Sequence, residues 1–209
     1  MDALDGTVNY KGGLPFWGVS IGRIRGGEKI LGCIYLPTLR RLFSAHAEND
    51  EAFMQEILLP AKKIGENKNG DIWNPAVLSG AVTLRVSDQS DIAKARVFVD
   101  HVKGDDRDRE MISKIFHSLS LRTMLPGVPI CASASMAFVS QGAIDAYVHT
   151  KPKPEDTAAG ELIVEKAGGS IIHKYPCPES VIATNGLINE ELVGVISNGL
   201  VQFRLDKIF

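Results

Sequence analysis

Asp2 and Asp5 stand three residues apart and run directly into Gly6-Thr7. Carboxylate oxygens are hard donors suited to Mg²⁺, and two of them in one pocket would concentrate that ion. The backbone N–H groups of Gly6 and Thr7 would then face an anion held by the metal. In an extended segment, residues three apart point to opposite sides. A turn at Asp5-Gly6 is therefore needed to bring both carboxylates together. The same residues also read as a solvated acidic turn near a frayed terminus, since D-x-x-D-G recurs by accident. Asp156 is the third acid of interest. It falls in the first turn of a helix predicted over residues 154–167, where negative charge complements the helix dipole, and that alone would explain it.

The flanking residues carry more. Asp2-Ala3-Leu4-Asp5-Gly6-Thr7-Val8-Asn9-Tyr10 continues through Gly13-Leu14-Pro15-Phe16-Trp17-Gly18-Val19-Ser20-Ile21-Gly22. This run resembles the first signature of the inositol monophosphatase family, D-P-I-D-G-T-x-N-F followed by x-x-P-F-x-x-V-S-I-G. Residues 156–169, D-T-A-A-G-E-L-I-V-E-K-A-G-G, are similar to the second, W-D-x-A-A-G-x-L-I-x-x-E-A-G-G. Residues 132–147 are similar to the helix and strand that lead to it. The resemblance covers most of the chain and is weakest at 47–80.

The resemblance implies an α/β (α+β) fold, a layered α-β-α-β sandwich of the sugar-phosphatase type. It implies hydrolysis of a phosphate monoester with two or more Mg²⁺ ions. Inositol 1-phosphate leads, with fructose 1,6-bisphosphate or a 3′-phosphoadenosine phosphate as alternatives. Asp2 would bridge two metal ions, Asp5 and Asp156 would complete the second, and the Leu4 carbonyl would ligate the first. Asp5, Gly6, Thr7, Ala132 and Asp156 would surround the substrate. The Gly6 and Thr7 N–H groups would hold the phosphate, and the backbone around Ala132 would lie beside the sugar alcohol. Asp5 and Thr7 would be catalytic, the Thr7 hydroxyl orienting the attacking water. Neither signature contains a nucleophile, so no covalent phosphoenzyme is expected. Lithium sensitivity and a homodimer complete the expectation.

Three departures stand beside these matches. The family places a helix pair and a G-E-E segment upstream of its first signature, and here the signature begins at residue 2. That Glu serves the first metal and, through the Thr, the water. The expectation is an N-terminally incomplete domain that turns over slowly or not at all. In the limit it is a non-catalytic module for metal and anion binding or for dimerisation. Glu155 replaces the Trp before Asp156; it reads as a helix-start charge or as a further metal ligand. His149 takes the place of a Glu that contacts ring hydroxyls, which leaves inositol itself open; it reads as a polar strand end that could reach substrate.

These residues need elements to hold them. Residues 17–24 and 29–36 read as a hairpin across Gly26-Gly27, and 42–45 as a further short strand. Residues 47–80 are polar and irregular, read as a divergent loop or insertion with a helical turn near 53–59. Strands are predicted at 82–86, 96–102, 144–149, 170–173 and 181–184. Helices are predicted at 108–124, 133–141, 154–167 and 189–203, the third with Pro154 at its start and Gly168-Gly169 past its end. A single domain over 1–209 follows.

Composition sets the frame. The 209 residues are 44% hydrophobic and 23% charged, which suits a packed domain and excludes a disordered or fibrous chain. Lys plus Arg number 23 against 25 acids, so no basic excess points to nucleic acid or an anionic membrane. No apolar run is long enough to span a bilayer, and no signal peptide is visible. Cys33, Cys131 and Cys177 are widely spaced without a C-x-x-C pair, which fits a reducing cytoplasm. Cys131 reads as a small buried thiol beside the substrate wall. Lys151 and Lys153 read equally as phosphate attractors or a solvated loop. His46, His101, His117 and His173 show no paired spacing and are assigned to no metal.

Overall fold

Two sheets and two helix layers alternate through the molecule, whose computed structural model describes residues 1–58, 77–100 and 105–205. The larger sheet is antiparallel, in the order β1 (Asp2–Asp5), β2 (Gly18–Arg25), β3 (Glu28–Leu36), β4 (Arg41–His46), β5 (Ala52–Leu58) and β6 (Val77–Leu78), with β7 (Val82–Thr83) also on β5. The smaller sheet mixes directions. Its order is β11 (Ser170–His173), β12 (Val181–Thr184), β10 (Ala146–His149), β8 (Arg96–Asp100) and β9 (Leu125–Gly127), with β8, β9 and β10 parallel. Helices α3 (Ala132–Ser140) and α4 (Pro154–Lys166) lie between the sheets, and α2 (Asp106–Arg122) and α5 (Asn189–Leu205) cover the far face of the smaller one. This is the layered α-β-α-β sandwich that the sequence predicts.

The strand period of two decides which core each side chain joins. Along β10, Ala146 and Val148 pack with Ile115, Leu119 and Leu192 under α2 and α5. Tyr147 turns the other way, to Met136, Val139 and Val164 of α3 and α4. A strand buried on both faces reads as a continuous apolar run, as this one does. The larger sheet gives α4 only its inner face, and there small residues permit a close approach. A Cβ on Gly32 would stand 2.4 Å from the Ala159 carbonyl oxygen. Glu161 of α4 joins both sheets, meeting Lys29 of β3 at 2.5 Å and His173 of β11 at 3.4 Å.

Most predicted elements appear within a few residues, and the exceptions are instructive. Residues 53–58 form most of β5, where a helical turn is expected; Leu59 lies outside the described residues. Met54, Gln55, Glu56 and Leu58 are good helix formers. Pairing with β4, Phe53 opposite Ser44, overrides them. Of the polar stretch 47–80, residues 59–76 also lie outside the described residues. The strand expected at 82–86 stops at Thr83, because the Val86 N–H turns to the Ala167 carbonyl at the end of α4. Residues 101 and 102, predicted to continue β8, lie outside the described residues. A short helix α1 (Thr7–Lys11) follows β1 where only a turn is expected.

Asp145, fully buried before β10, anchors the start of β8. Its carboxylate accepts from the Arg96 backbone N–H (2.6 Å) and Nε (3.1 Å), and from Ser87 Oγ (2.5 Å). Arg96 Nη2 closes the ion pair at 3.0 Å. Burial pushes this carboxyl up, but the hydrogen bonds from Arg96 and Ser87 outweigh it and hold it below the usual carboxylate range. A depressed folded-state pKa contributes stability above the ordinary pKa, and that contribution is lost as pH falls through the folded-state value. Asp145→Ala is expected to destabilise the protein by about 2–3 kcal/mol at neutral pH, because it strands Arg96. Urea denaturation measures this, and the gap between variant and wild type should shrink as the solution is acidified.

Candidate functional site

β1 ends at Asp5, and the chain turns at once. Gly6 has φ +79°, and a Cβ there would come 2.6 Å from the Phe16 carbonyl oxygen, so only glycine fits the turn. The turn is further fixed by Thr7 Oγ1, which donates to the Leu4 carbonyl at 2.9 Å. α1 then starts with Thr7, and the first N–H groups of a helix have no carbonyl partner within it. Asp5 itself is clamped to the start of α3: its Oδ2 accepts from the Ser133 N–H at 2.6 Å and the Cys131 thiol at 3.3 Å. Residues remote in sequence are thereby joined through one carboxylate oxygen.

Asp156 approaches from α4. Its Oδ2 accepts from the Lys153 N–H at 3.0 Å, which caps the helix and fixes the carboxylate. Asp5, Gly6, Thr7, Ala132 and Asp156 line one cavity of about 380 Å³, together with Val8, Asp100, Ile130, Cys131, His149 and Lys153. That volume suits a small ligand. Two larger cavities, about 460 and 600 Å³, flank α2 away from all the predicted site residues; the first has no acid on its wall, and the second has only Glu191 beside Arg122.

The cavity gathers five of the seven predicted site residues. Asp2 and Leu4 do not line it: Asp2 Oδ1 folds back to accept from the Leu4 N–H at 2.9 Å. The expected meeting of Asp2, Asp5 and Asp156 is seen as electrostatic proximity, the charges of Asp5 and Asp2 both acting on Asp156. Among the described residues, no three Asp, Glu, His or Cys side chains are gathered tightly enough to hold one metal ion. The three acids do feel one another. Burial raises the Asp156 carboxyl, and the charges of Asp5, Asp2 and Glu155 raise it further. Ser20, opposite Asp2 in the β1–β2 register, has a buried hydroxyl with no partner among the described residues. Unrelieved negative charge, oxygen donors and an orphaned hydroxyl fit a hydrated hard cation.

Other residues take clear places. His149 is not a surface strand end: it is 6% exposed and lines the cavity, because β10 lies between β8 and β12. Lys153 lines the cavity too, whereas Lys151 pairs with Asp108 at 2.6 Å, and Glu155 stays exposed off the wall. Cys131 is buried as expected, and burial with the Asp5 charge holds its thiol protonated. His101 lies outside the described residues. Asp100 is the residue that sequence reasoning missed. It ends β8 and accepts from the Ile130 N–H (2.7 Å), the Cys131 N–H (3.0 Å) and the Tyr147 hydroxyl (2.6 Å). Burial raises its carboxyl to about 6 against those hydrogen bonds. An acid closing the apolar run R-V-F-V-D was the available signal.

The profile of the inositol monophosphatase family matches residues 1–201. The chain belongs to this family. It is 28% identical over 169 residues to a fructose-1,6-bisphosphatase/inositol-1-monophosphatase of Aquifex aeolicus, covering 81% of this chain and 54% of that protein. It is 29% identical over 200 residues to an inositol-1-monophosphatase of Synechocystis, covering 92% and 60%. The chain thus spans less than two thirds of either relative's length. Among solved structures, Mycobacterium tuberculosis SuhB superposes with a TM-score of 0.74 at 22% identity, covering 94% of this chain and 70% of that one; at this identity the likeness concerns the fold. An inositol monophosphatase from Anabaena gives 0.72 at 25% identity, covering 93% and 69%.

An acid whose folded-state pKa is raised subtracts from stability once it ionises. Without metal at neutral pH, Asp156→Asn keeps the cap to Lys153 and removes the repulsion. Its melting temperature is expected to rise by roughly 2–4 °C, readable by calorimetry; a fall would mean that the three acids do not repel in solution.

Proposed function

We propose that this cavity hydrolyses a small phosphate monoester with Mg²⁺, inositol 1-phosphate being the first substrate to try. The observation that supports the reading is the shared wall: Asp5 and Asp156, remote from each other in sequence, face one cavity at the start of α1. Asp5 and Asp156 would hold the metal from that wall, with Asp2 and the Leu4 carbonyl as further oxygen donors on β1, for two or more ions. When bound, Mg²⁺ would neutralise phosphate charge and acidify a water.

The chain's own groups do the rest. The first N–H groups at Gly6 and Thr7 stand at the start of α1 on the cavity wall and would hold phosphate oxygens. Thr7 gives its hydroxyl proton to the Leu4 carbonyl, so its lone pairs are the part that would accept from, and orient, the attacking water. Cys131 is held protonated, which leaves water as the nucleophile. Ala132 would border the polyol. A second reading has its own observation. His149 and Lys153 stand on the same wall, and basic groups there favour a substrate with a second anionic group, fructose 1,6-bisphosphate before a 3′-phosphoadenosine phosphate. Lithium inhibition goes with either.

The partner we propose is a second copy. β9 is an exposed edge of the smaller sheet, and Leu121, Met124, Leu125 and Val128 around it are 49–70% exposed, an apolar border that pairing would cover. Cytoplasmic location fits three free thiols. No described helix is long and apolar enough to cross a membrane.

Phosphate release from the two substrates with saturating Mg²⁺ tests the activity. Asp5→Asn and Thr7→Val are each expected to lose on the order of hundredfold in kcat/KM through misplaced water or phosphate. Mg²⁺ should also raise the wild-type melting temperature by mass action. A Mg²⁺ shift without phosphate release would favour a binding module instead. Sedimentation tests the partner: wild type is expected to be a dimer, and Leu125→Asp a monomer.

A further inference from the structure

We propose that Asp100 is a positioning residue, a buried carboxylate that holds the 130–133 wall so that this wall can clamp Asp5. The inference rests on the phosphatase reading only for its kinetic consequence; the geometry stands apart from it.

The wall is held against its own preference. Ile130 has φ +55°, in the left-handed region that a β-branched residue avoids. Its side chain is 42% exposed, so packing does not impose that conformation. Hydrogen bonds do. Asn9 Nδ2, from α1, donates to the Pro129 carbonyl at 2.7 Å and to the Ile130 carbonyl at 3.3 Å. From the other side, Asp100 Oδ1 takes the Ile130 N–H and Oδ2 takes the Cys131 N–H. The strained peptide is gripped by both its ends. Strain maintained beside a site in this way is the mark of a functional constraint.

What the grip achieves lies two residues on. The Cys131 thiol and the Ser133 N–H both reach Asp5 Oδ2. If 130–131 relaxed, those donors would leave and Asp5 would turn. Asp100 itself is unsuited to ligating a cation, although it lines the cavity. Three donors converge on its two oxygens, the third being the Tyr147 hydroxyl. Three donors also explain the residue type. An amide of the same shape would aim an NH₂ at an N–H, whichever way it faced. At 3% exposure, the carboxylate carries a desolvation penalty that its three hydrogen bonds offset in part.

Amide hydrogen exchange on the full chain tests this without any assay of activity. In Asp100→Asn, exchange at Ile130, Cys131 and Ser133 is expected to rise at least tenfold while α5 and β12 keep their protection. The Mg²⁺-induced rise in melting temperature should be smaller but not lost, since Asp156 keeps its place while Asp5 is loosened. In turnover, kcat should fall by about tenfold or more with KM changed less. Unchanged exchange at 130–133 overturns the proposal. So does loss of the Mg²⁺ shift with protection intact, which would make Asp100 a cation ligand, and so does a uniform rise across all elements, which would make it a general core anchor. Should Asp100→Asn not fold, Tyr147→Phe removes the hydroxyl that fixes Asp100. Raised exchange at Ile130 and Cys131 in that variant supports the proposal, and unchanged exchange there overturns it. If wild type releases no phosphate from any ester, the phosphatase reading fails while the exchange result still decides this one.

Discussion

Like charge gathered at one point is the constraint that the rest of the structure supports. Asp5, Asp156 and Asp100 converge on one cavity, with Asp2 near enough to be felt. Each is oriented by backbone N–H groups: Ser133 on Asp5, Lys153 on Asp156, Ile130 and Cys131 on Asp100. Neutral donors of this kind fix a carboxylate without cancelling its charge. Asp145 is the contrast within the same molecule. It is fully buried, as Asp100 nearly is, but Arg96 neutralises it, and its carboxyl lies below the usual range where those of Asp100 and the half-buried Asp156 lie above it. The fold thus separates an acid neutralised by a cationic partner from acids held by neutral donors, and the second kind leaves the cavity with negative potential to spare.

The layers make that concentration tolerable by putting the acids at element ends. Asp5, Asp100 and His149 are the last residues of β1, β8 and β10. Thr7 and Ala132 begin α1 and α3, and Asp156 sits in the first turn of α4. The parallel strands β8 and β10 deliver their carboxyl ends to the same crevice, the usual location of a site in α/β sheets. Helix starts add partial positive charge where the acids are densest. This convergence needs α3 and α4 to occupy one layer between both sheets. The close approaches of Gly32 to Ala159 and of Gly160 to Met136 allow it, since a Cβ at either glycine would stand 2.4 Å from its neighbour.

Much of this was legible in the sequence wherever a local signal agreed with tertiary packing. The β2–β3 hairpin, β11, β12 and α4 carry strong turn, apolar and capping signals, and each lies where those signals put it. β5 was illegible because its residues favour helix and only the edge of β4 makes them a strand. Val86 was misjudged for the same kind of reason, its N–H being claimed by a helix end remote in sequence. Five of the seven site residues meet at the cavity because their motifs sit on elements whose ends coincide. Asp2 is turned aside by a bond two residues away, Leu4 N–H to Asp2 Oδ1, which competes with any long-range contact and has no signature in the letters.

The remaining wall shows why a site's chemistry is easier to read than its selectivity. Binding metal and phosphate, the role proposed for Asp5-Gly6-Thr7 and the start of α4, would demand particular groups at fixed short spacing, and those residues carry a recognisable string. Shaping the opposite wall demands only that some buried groups meet, and residues from any strand end can do that. Asp100 ends β8, His149 ends β10 with Lys153 shortly after it, and no spacing in the sequence links Asp100 to the other two. His149 is enclosed because β10 is flanked on both sides, and Asp100 is saturated because Ile130 adopts an unfavoured backbone conformation beside it. Both facts belong to packing, not to local sequence. The acidic half of the cavity could therefore be proposed from motifs, while the half formed by Asp100, Ile130 and His149 had to be seen in the assembled layers.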